Sequence, residues 1–305
     1  MVTVPVAPAG LMAMARLGAE ELASRLCEPN PVHLFLACFF PAVAAIVYLI
    51  LRPCAVYLIN YAGFRTPSNS RVPFATFLKH AKQHPQLNER SIRFMTLLLE
   101  RSLERSGIGE DTCLTRAHHY VGTHKYCTVD VARAEFELVA FSAIDALLAK
   151  TSIAPDAIDI LIVNCSLFCG TCTVDPIIIN KYKLRSDVRS MHLSGMGCSA
   201  GMISVGLARN LLQVVPRGAH ALVVSTETVT PNYYFGTERA LLLPNCLFRI
   251  GGAAAMLSTS SAKARFRLKH AMRMLTSADD SPFRCVFQEG DGSERATGGS
   301  TSARI

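Results

Sequence analysis

Residues 188–201 read VRSMHLSGMGCSAG, and this stretch joins a short extended run to a helix through two glycines. The helix pattern covers residues 198–213, where apolar side chains recur every four positions at Ile203, Leu207 and Leu211. A strand, a tight turn and a helix in that order are typical of chains that alternate β-strands with α-helices.

Cys198 lies at or near the first turn of this helix. Free N–H groups and the positive end of the helix dipole favour a thiolate over a thiol at that place. Gly195 and Gly197 allow the backbone to turn sharply and leave the sulfur uncovered. Cys198 is therefore a candidate nucleophile. The alternative is that the glycines merely permit close packing and that Cys198 is an inert, buried thiol.

The sequence on both sides of this stretch alternates between strand-like and helix-like patterns. Residues 158–164 (IDILIVN) form a continuous apolar run, which indicates a central strand. Helices are predicted at 72–83, 89–105, about 130–150 and about 174–183, and further strands at 220–226, 247–258 and 263–272. The last of these alternates basic and apolar residues, which favours a solvated strand face over a binding site. The predicted fold class is α/β, with a parallel or mixed sheet covered by helices.

A second chemical template fits the same glycine turn. The pattern Gly195-x-Gly197-x-x-Ala200 lies between a strand and a helix, and a later strand ends at Glu227. That arrangement matches a dinucleotide fingerprint with Glu227 as the acid that binds the ribose. However, the unit lies deep within the chain, whereas such a unit often opens its domain.

A third template is the nucleophile elbow, which the segment GCSAG at 197–201 matches with Ser199 as the nucleophile. Such a site needs an acid and a histidine further along the chain. The later histidines are His220 and His270, and the acids ahead of the second one are Glu227 and Glu238. Both templates remain open beside the Cys198 hypothesis.

The 11 cysteines have irregular spacing, which argues against a disulfide framework and indicates a reducing compartment. Cys165, Cys169 and Cys172 follow a C-x3-C-x2-C pattern that could begin a metal site. A closed zinc site usually has four ligands, and the sequence offers no partner pair with ligand spacing. A loop with incidental cysteines is the favoured interpretation.

The two ends of the chain differ from its centre. Residues 34–51 are 18 residues without a charged side chain, enough for a marginal transmembrane helix, with a buried core helix as the alternative. We predict an N-terminal tail at 1–31, a membrane anchor at 32–59, a main domain at 60–287 and a disordered tail at 288–305. The basic residues around the anchor favour a cytosolic main domain. The net charge of +8 fits an anionic membrane face or a phosphate-bearing ligand and is too diffuse to indicate nucleic acid.

Several separate blocks resemble the plant 3-ketoacyl-CoA synthases, the membrane-bound condensing enzymes of fatty-acid elongation. The blocks are VNCSLF (163–168), NKYKLRSDVRS (180–190), GMGCSAG (195–201), VVSTET (223–228), YYFGTERALLLPNCLFRIGG (233–252) and ADDSPFRCVFQE (278–289). The resemblance runs from about Val56 to Glu289. It is specific because many blocks occur in one order.

The resemblance implies a thiolase-like fold, of which this chain holds mainly the N-terminal βαβαβαββ half, usually assembled as a homodimer. It identifies Cys198 as the acyl-accepting cysteine. The implied reaction condenses a long-chain acyl-CoA with malonyl-CoA and uses no metal or redox cofactor. The implied location is the endoplasmic reticulum membrane, with the catalytic body facing the cytosol.

In this family a histidine and an asparagine from the second half stabilise the enolate oxygen. None of the nine histidines here lies in a matching motif, and the resemblance implies that the chain ends shortly after the first half. An alternative function is therefore a catalytically inactive, truncated member that acts only as a dimerisation or regulatory partner of complete relatives.

Overall fold

The computed structural model describes residues 31–51, 53–84, 87–106, 128–168, 174–234, 236–284, 287–290 and 301–304. The chain divides into two compact units, Met1–Pro53 and Cys54–Ile305. The sheet, and every described helix except the first, belong to the second unit.

The described part of the first unit is essentially one helix, α1 (Pro31–Leu51). Its 21 residues include no Asp, Glu, Lys or Arg. Pro41 lies inside the helix, where it removes one backbone hydrogen bond. Across the ranges that the structure describes, no helix combines the length and the apolarity that crossing a membrane requires.

The second unit alternates strands and helices along the chain, as predicted. Its helices are α2 (Phe74–Gln83), α3 (Glu89–Ser106), α4 (Val129–Thr151), α5 (Asp175–Tyr182), α6 (Ala200–Leu211), α7 (Arg239–Leu247) and α8 (Asp280–Phe283). Its strands are β1 (Val56–Gly63), β2 (Ile158–Asn164), β3 (Arg189–Leu193), β4 (His220–Glu227), β5 (Gly251–Ser258), β6 (Phe266–Leu268), β7 (Phe287–Gly290) and β8 (Thr301–Arg304).

Six strands form one mixed sheet in the order β3-β2-β4-β5-β1-β6. Strands β2, β3 and β4 are parallel, with Val163 opposite His192 on one side and opposite Val224 on the other. Strand β5 runs antiparallel to β4 and β1, and β6 runs antiparallel to β1. The carboxyl ends of the three parallel strands therefore share one edge of the sheet, where α/β folds place their ligand sites.

Helices cover both faces of this sheet. On one face α4 and α5 pack against β2 in a cluster that includes Phe136 and Leu161. On the other face α6 packs in a second cluster that includes Leu212 and Ile162. Alternate residues of β2 therefore enter different clusters, which explains its continuous apolar run. The predicted central strand is confirmed.

Helices α2, α3 and α7 form a separate hydrophobic cluster. Met95 and Leu99 of α3 are fully buried in it, beside Phe77 of α2 and Leu242 of α7. The helices predicted at 72–83 and 89–105 are confirmed. The sequence patterns did not predict α7, because Pro244 inside it is a residue that normally ends a helix.

The predicted end of the membrane anchor is wrong. Residues 56–59, assigned to the anchor, form the first half of β1 and pair with β5 and β6. Val56 and Ile59 are buried within the second unit. Their side chains are thus covered by the sheet and its helices and are not available to lipid.

Three other predicted boundaries differ from those in the structure. The strand expected at 247–258 begins at Gly251, because Leu247 still belongs to α7. The strand expected at 263–272 shrinks to β6, and Phe266 in it is 59% exposed. The prediction of disorder is wrong for residues 288–290 and 301–304, because β7 and β8 pair antiparallel.

Candidate active site

Cys198 occupies a single 3₁₀ turn, Gly197–Ser199, between β3 and α6. Gly195 and Gly197 have φ values of 72° and 58°, in the left-handed region that favours glycine. The backbone can therefore reverse between the strand and the helix within a few residues. Cys198 is exposed and forms no disulfide. The alternative in which Cys198 is a buried thiol is therefore wrong.

A buried hydrogen-bond network fixes the first turn of α6 on the sheet. Asn164, the last residue of β2, donates through Nδ2 to Ser204 Oγ at 3.0 Å and to Val224 O at 3.3 Å. Its Oδ1 accepts from Ser225 Oγ at 2.8 Å. Ser204 Oγ donates in turn to Ala200 O at 2.8 Å. Asn164 thus links β2, β4 and the helix that follows the glycine turn.

The turn and the helix approach the sheet closely because their residues are small. A Cβ added to Gly201 would lie 3.4 Å from Ser225 Oγ, so glycine leaves room for the network to close. In the turn itself, Ser199 Oγ donates to Met196 O at 2.9 Å. The Ser199 hydroxyl therefore closes the turn, beside the exposed sulfur of Cys198.

The nucleophile-elbow template does not fit the geometry. His220 begins β4 at the amino edge of the parallel strands, whereas the glycine turn lies at the carboxyl edge. At about 3.3 Å per residue, an eight-residue strand separates the two edges by on the order of 20 Å. His270 follows β6, whose last residue pairs with Val56 at the same amino edge. Neither histidine can serve Ser199.

The dinucleotide template does not fit either. Strand β2 lies between β3 and β4, so the strands on either side of α6 are not neighbours. The Glu227 carboxylate accepts hydrogen bonds from the N–H groups of Ser166 and Leu167, at 2.8 and 2.9 Å. Glu227 therefore holds the loop after β2, and its oxygens are not free for a ribose.

Cys165 lies beside the same carboxylate, with its Sγ 3.8 Å from Glu227 Oε2. Burial, and then the negative charge of Glu227, raise the pKa of Cys165 to about 12. Cys165 is thus a neutral thiol near pH 7 and a packing residue. Within the described ranges no group of three His, Cys, Asp or Glu side chains could hold a metal ion. Cys169 and Cys172 lie outside the described residues.

One histidine does lie near this edge of the sheet. His192 of β3 places its Nε2 3.0 Å from Cys165 O. The contact ties β3 to the loop after β2 and uses one of the two ring nitrogens. No sequence motif marks His192, and its contact with the loop after β2 follows from the pairing of β3 with β2.

A model of the FAE1/type III polyketide synthase-like proteins matches residues 48–302 of this chain. The chain belongs to this family. 3-Ketoacyl-CoA synthase 6 of Arabidopsis thaliana is 44% identical over 94% of this chain and 58% of its own length. 3-Ketoacyl-CoA synthase 5 of the same plant is 43% identical over 95% of this chain and 59% of its own length. The predicted resemblance to plant 3-ketoacyl-CoA synthases is confirmed, and the chain spans less than two thirds of these curated relatives.

Solved structures of type III polyketide synthases share the fold. Germicidin synthase from Streptomyces coelicolor matches with a TM-score of 0.59 and 18% identity, over 83% of this chain and 70% of that chain. Tetrahydroxynaphthalene synthase from the same organism matches with a TM-score of 0.57 and 16% identity, over 81% of this chain and 67% of that chain. At these identities the match establishes the fold alone, which confirms the predicted thiolase-like α/β class.

In this FAE1-like chain a buried carboxylate supports the edge where Cys198 lies. Glu135 of α4 accepts hydrogen bonds from Val229 N at 2.7 Å and Thr230 N at 3.1 Å. These two N–H groups belong to the segment directly after β4. Burial raises the pKa of Glu135, while those hydrogen bonds oppose the rise. The sequence signal that could have revealed Glu135 is its place on the buried side of α4, next to Phe136.

Proposed function

We propose that this chain supplies the acyl-accepting part of a 3-ketoacyl-CoA synthase. The observation that carries the proposal is the exposed Cys198 on a glycine turn at the carboxyl edge of β2, β3 and β4, in a chain that belongs to the FAE1-like family. The turn directly precedes the 12-residue helix α6. The thiolate is the reactive form of cysteine.

The first chemical step is transfer of the acyl group. The Cys198 thiolate attacks the thioester carbonyl of a long-chain acyl-CoA, and a new carbon–sulfur bond forms on the protein. The carbon–sulfur bond to coenzyme A breaks, and its thiolate leaves and takes up a proton. Covalent catalysis of this kind divides one difficult reaction into two easier ones.

The second step is decarboxylative condensation. Malonyl-CoA loses carbon dioxide, and the resulting enolate attacks the acyl group on Cys198. A carbon–carbon bond forms, the Cys198 thiolate leaves, and the product is a 3-ketoacyl-CoA two carbons longer. The enolate oxygen needs hydrogen-bond donors, which the family resemblance assigns to a histidine and an asparagine beyond the blocks matched here. Neither step uses a metal or a redox cofactor.

The same proposal includes a location and an assembly. The net charge of +8 is suited to an anionic membrane surface, and α1 offers an uncharged stretch of 21 residues as an anchor. We place the protein at the endoplasmic reticulum membrane with its second unit in the cytosol, as a homodimer or paired with a complete relative. Acyl-CoA and malonyl-CoA are its proposed substrates.

Acylation of Cys198 can be tested separately from condensation. The purified chain is incubated with a saturated long-chain acyl-CoA, and the intact protein mass is measured. We expect one acyl group per chain, removable by hydroxylamine, and loss of this adduct in Cys198→Ala. Cys38→Ala is the matched control, because Cys38 is also free and exposed. Equal acylation of wild type and Cys198→Ala would refute the role of Cys198.

A further inference from the structure

A groove of about 530 Å³ opens between α3 and α7. It is lined by Glu89, Arg90, Arg93, Phe94 and Leu97 of α3 and by Arg239 of α7. The groove shares no residue with the turn of Cys198 or with the network below that turn. Its size is that of sites which bind small molecules.

Three of the six lining residues are arginines, and Glu89 is the single acid among them. Among the described residues, the ion pairs are those of Arg185 with Asp159 and with Asp187. No carboxylate of these residues therefore lies within 4.0 Å of Arg90, Arg93 or Arg239. Three guanidinium groups that form no ion pair within the described residues therefore border one groove. Guanidinium groups bind phosphate and carboxylate with two parallel hydrogen bonds, so the groove suits an anion.

The backbone adds to this positive field. Glu89 and Arg90 are the first residues of α3, and Arg239 is the first residue of α7. Two helix N-termini, each with the positive end of a helix dipole, thus border the groove. The first turn of α3 is held in place because Asn88 Oδ1 accepts from Ser91 N at 2.8 Å.

The groove also presents apolar surface. The Arg239 guanidinium lies 5.5 Å from the centre of the Phe94 ring, which orients the arginine through a cation–π contact. Leu97, one turn further along α3, is 51% exposed although it lies beside the arginines. A fully hydrated inorganic anion would leave this surface uncovered. A ligand with both a phosphate group and an apolar part would use both features.

We infer that the groove binds the phosphate group of a small amphipathic anion, with the apolar part of the ligand against Phe94 and Leu97. Coenzyme A and an anionic phospholipid headgroup share this chemistry. The site is independent of the proposed acylation of Cys198, because binding in the groove requires no reaction at that residue. Either assignment can therefore fail while the other stands.

Isothermal titration of the full chain with pyrophosphate tests the anion site. We expect the double variant Arg93→Gln/Arg239→Gln to weaken binding by about tenfold or more, since each arginine supplies charge-assisted hydrogen bonds. The matched control is Arg133→Gln/Arg217→Gln, which removes the same charge at exposed positions elsewhere and should change binding by less than about twofold. Circular dichroism melting checks that both variants are folded. Equal weakening in the two double variants would overturn the inference, because pyrophosphate would then sense only the overall charge.

Competition identifies the ligand. Coenzyme A and dihexanoylphosphatidic acid, below its micelle concentration, are each titrated against bound pyrophosphate. Displacement by coenzyme A alone assigns the groove to a coenzyme A thioester, and displacement by the short-chain lipid assigns it to a membrane headgroup. If neither compound displaces pyrophosphate, the inference is wrong, because the groove then holds an adventitious ion only.

Discussion

At the scale of single residues, the site depends on how one cysteine is presented. Gly195 and Gly197 adopt left-handed backbone angles that other residues rarely adopt, and the chain therefore reverses directly after β3. Asn164 then ties the helix after the turn to two strands. The helix that follows the turn of Cys198 is thus held by polar groups of β2 and β4.

Asn164→Ala tests this support. The substitution leaves Ser204, Ser225 and Val224 O without their partner in a buried region, so we expect the free energy of unfolding to fall by about 2–4 kcal/mol. Asn210→Ala is the matched control, because Asn210 lies on the exposed side of α6 and should change stability by less than about 0.5 kcal/mol. Urea unfolding measures both. Equal effects would contradict the role of the network.

Glu135 gives a prediction about pH. Its pKa is raised in the folded state, mainly by burial, so the folded chain binds this proton more tightly than the unfolded chain. The contribution of Glu135 to stability is therefore greatest below the ordinary carboxyl pKa and decreases as pH rises through the raised value. Glu135→Gln cannot titrate. We expect the stability of wild type relative to this variant to decline from acid to neutral pH.

The measurement is urea unfolding of both proteins at several pH values between about 4.5 and 8. In this range a raised carboxyl pKa makes the free energy of unfolding depend on pH. Glu100→Gln, on the exposed side of α3, controls for loss of one carboxylate. A constant difference between wild type and Glu135→Gln across this range would contradict the prediction.

At the scale of elements, the sequence predicts helices and strands best where the spacing of apolar residues matches the buried side of the element. Helices α3 and α4 and strand β2 have the expected types and nearly the expected ends, because hydrophobic spacing reports directly which side of an element is covered. Helix α7 is missed because it contains Pro244, yet burial of Leu242 and Cys246 in the α2–α3–α7 cluster holds it together. Local propensity is weaker than this tertiary packing.

Helix α1 carries a prediction about membrane attachment. Phe35, Phe40 and Ile46 are each more than half exposed, and exposed apolar surface of this extent marks an interaction site. We expect the full chain to sediment with membranes in low-salt buffer. Placing two charges in α1 with Val43→Lys/Ile46→Lys should release it, because charged side chains are costly in an apolar environment.

The matched control for that sedimentation is Val214→Lys/Met272→Lys, which adds the same charge at exposed apolar positions of the second unit. This control should stay in the pellet. A wild-type chain that stays in the supernatant, or equal release of both variants, would contradict attachment through α1.

At the scale of the whole molecule, strand order decides which residues can act together. Strand β2 leads to β3 on one side, and β3 then leads back across β2 to β4 on the other. This reversal places α5 and α6 on opposite faces and brings the ends of three parallel strands to one edge. Asn164, Glu227 and the turn of Cys198 all lie at this edge although they are far apart in the chain.

The sequence by itself determined the α/β class, the strand–turn–helix at 188–201, the position of Cys198 at its turn and the family to which the chain belongs. These features are local, because the spacing of apolar residues and glycines reports burial and backbone shape. Only the tertiary structure decided that Glu227 holds a loop, that His220 and His270 lie at the opposite edge, and that Arg239 joins the arginines of α3. Those facts depend on which helices and strands are neighbours in space. The spacing of residues along the chain does not determine these neighbours.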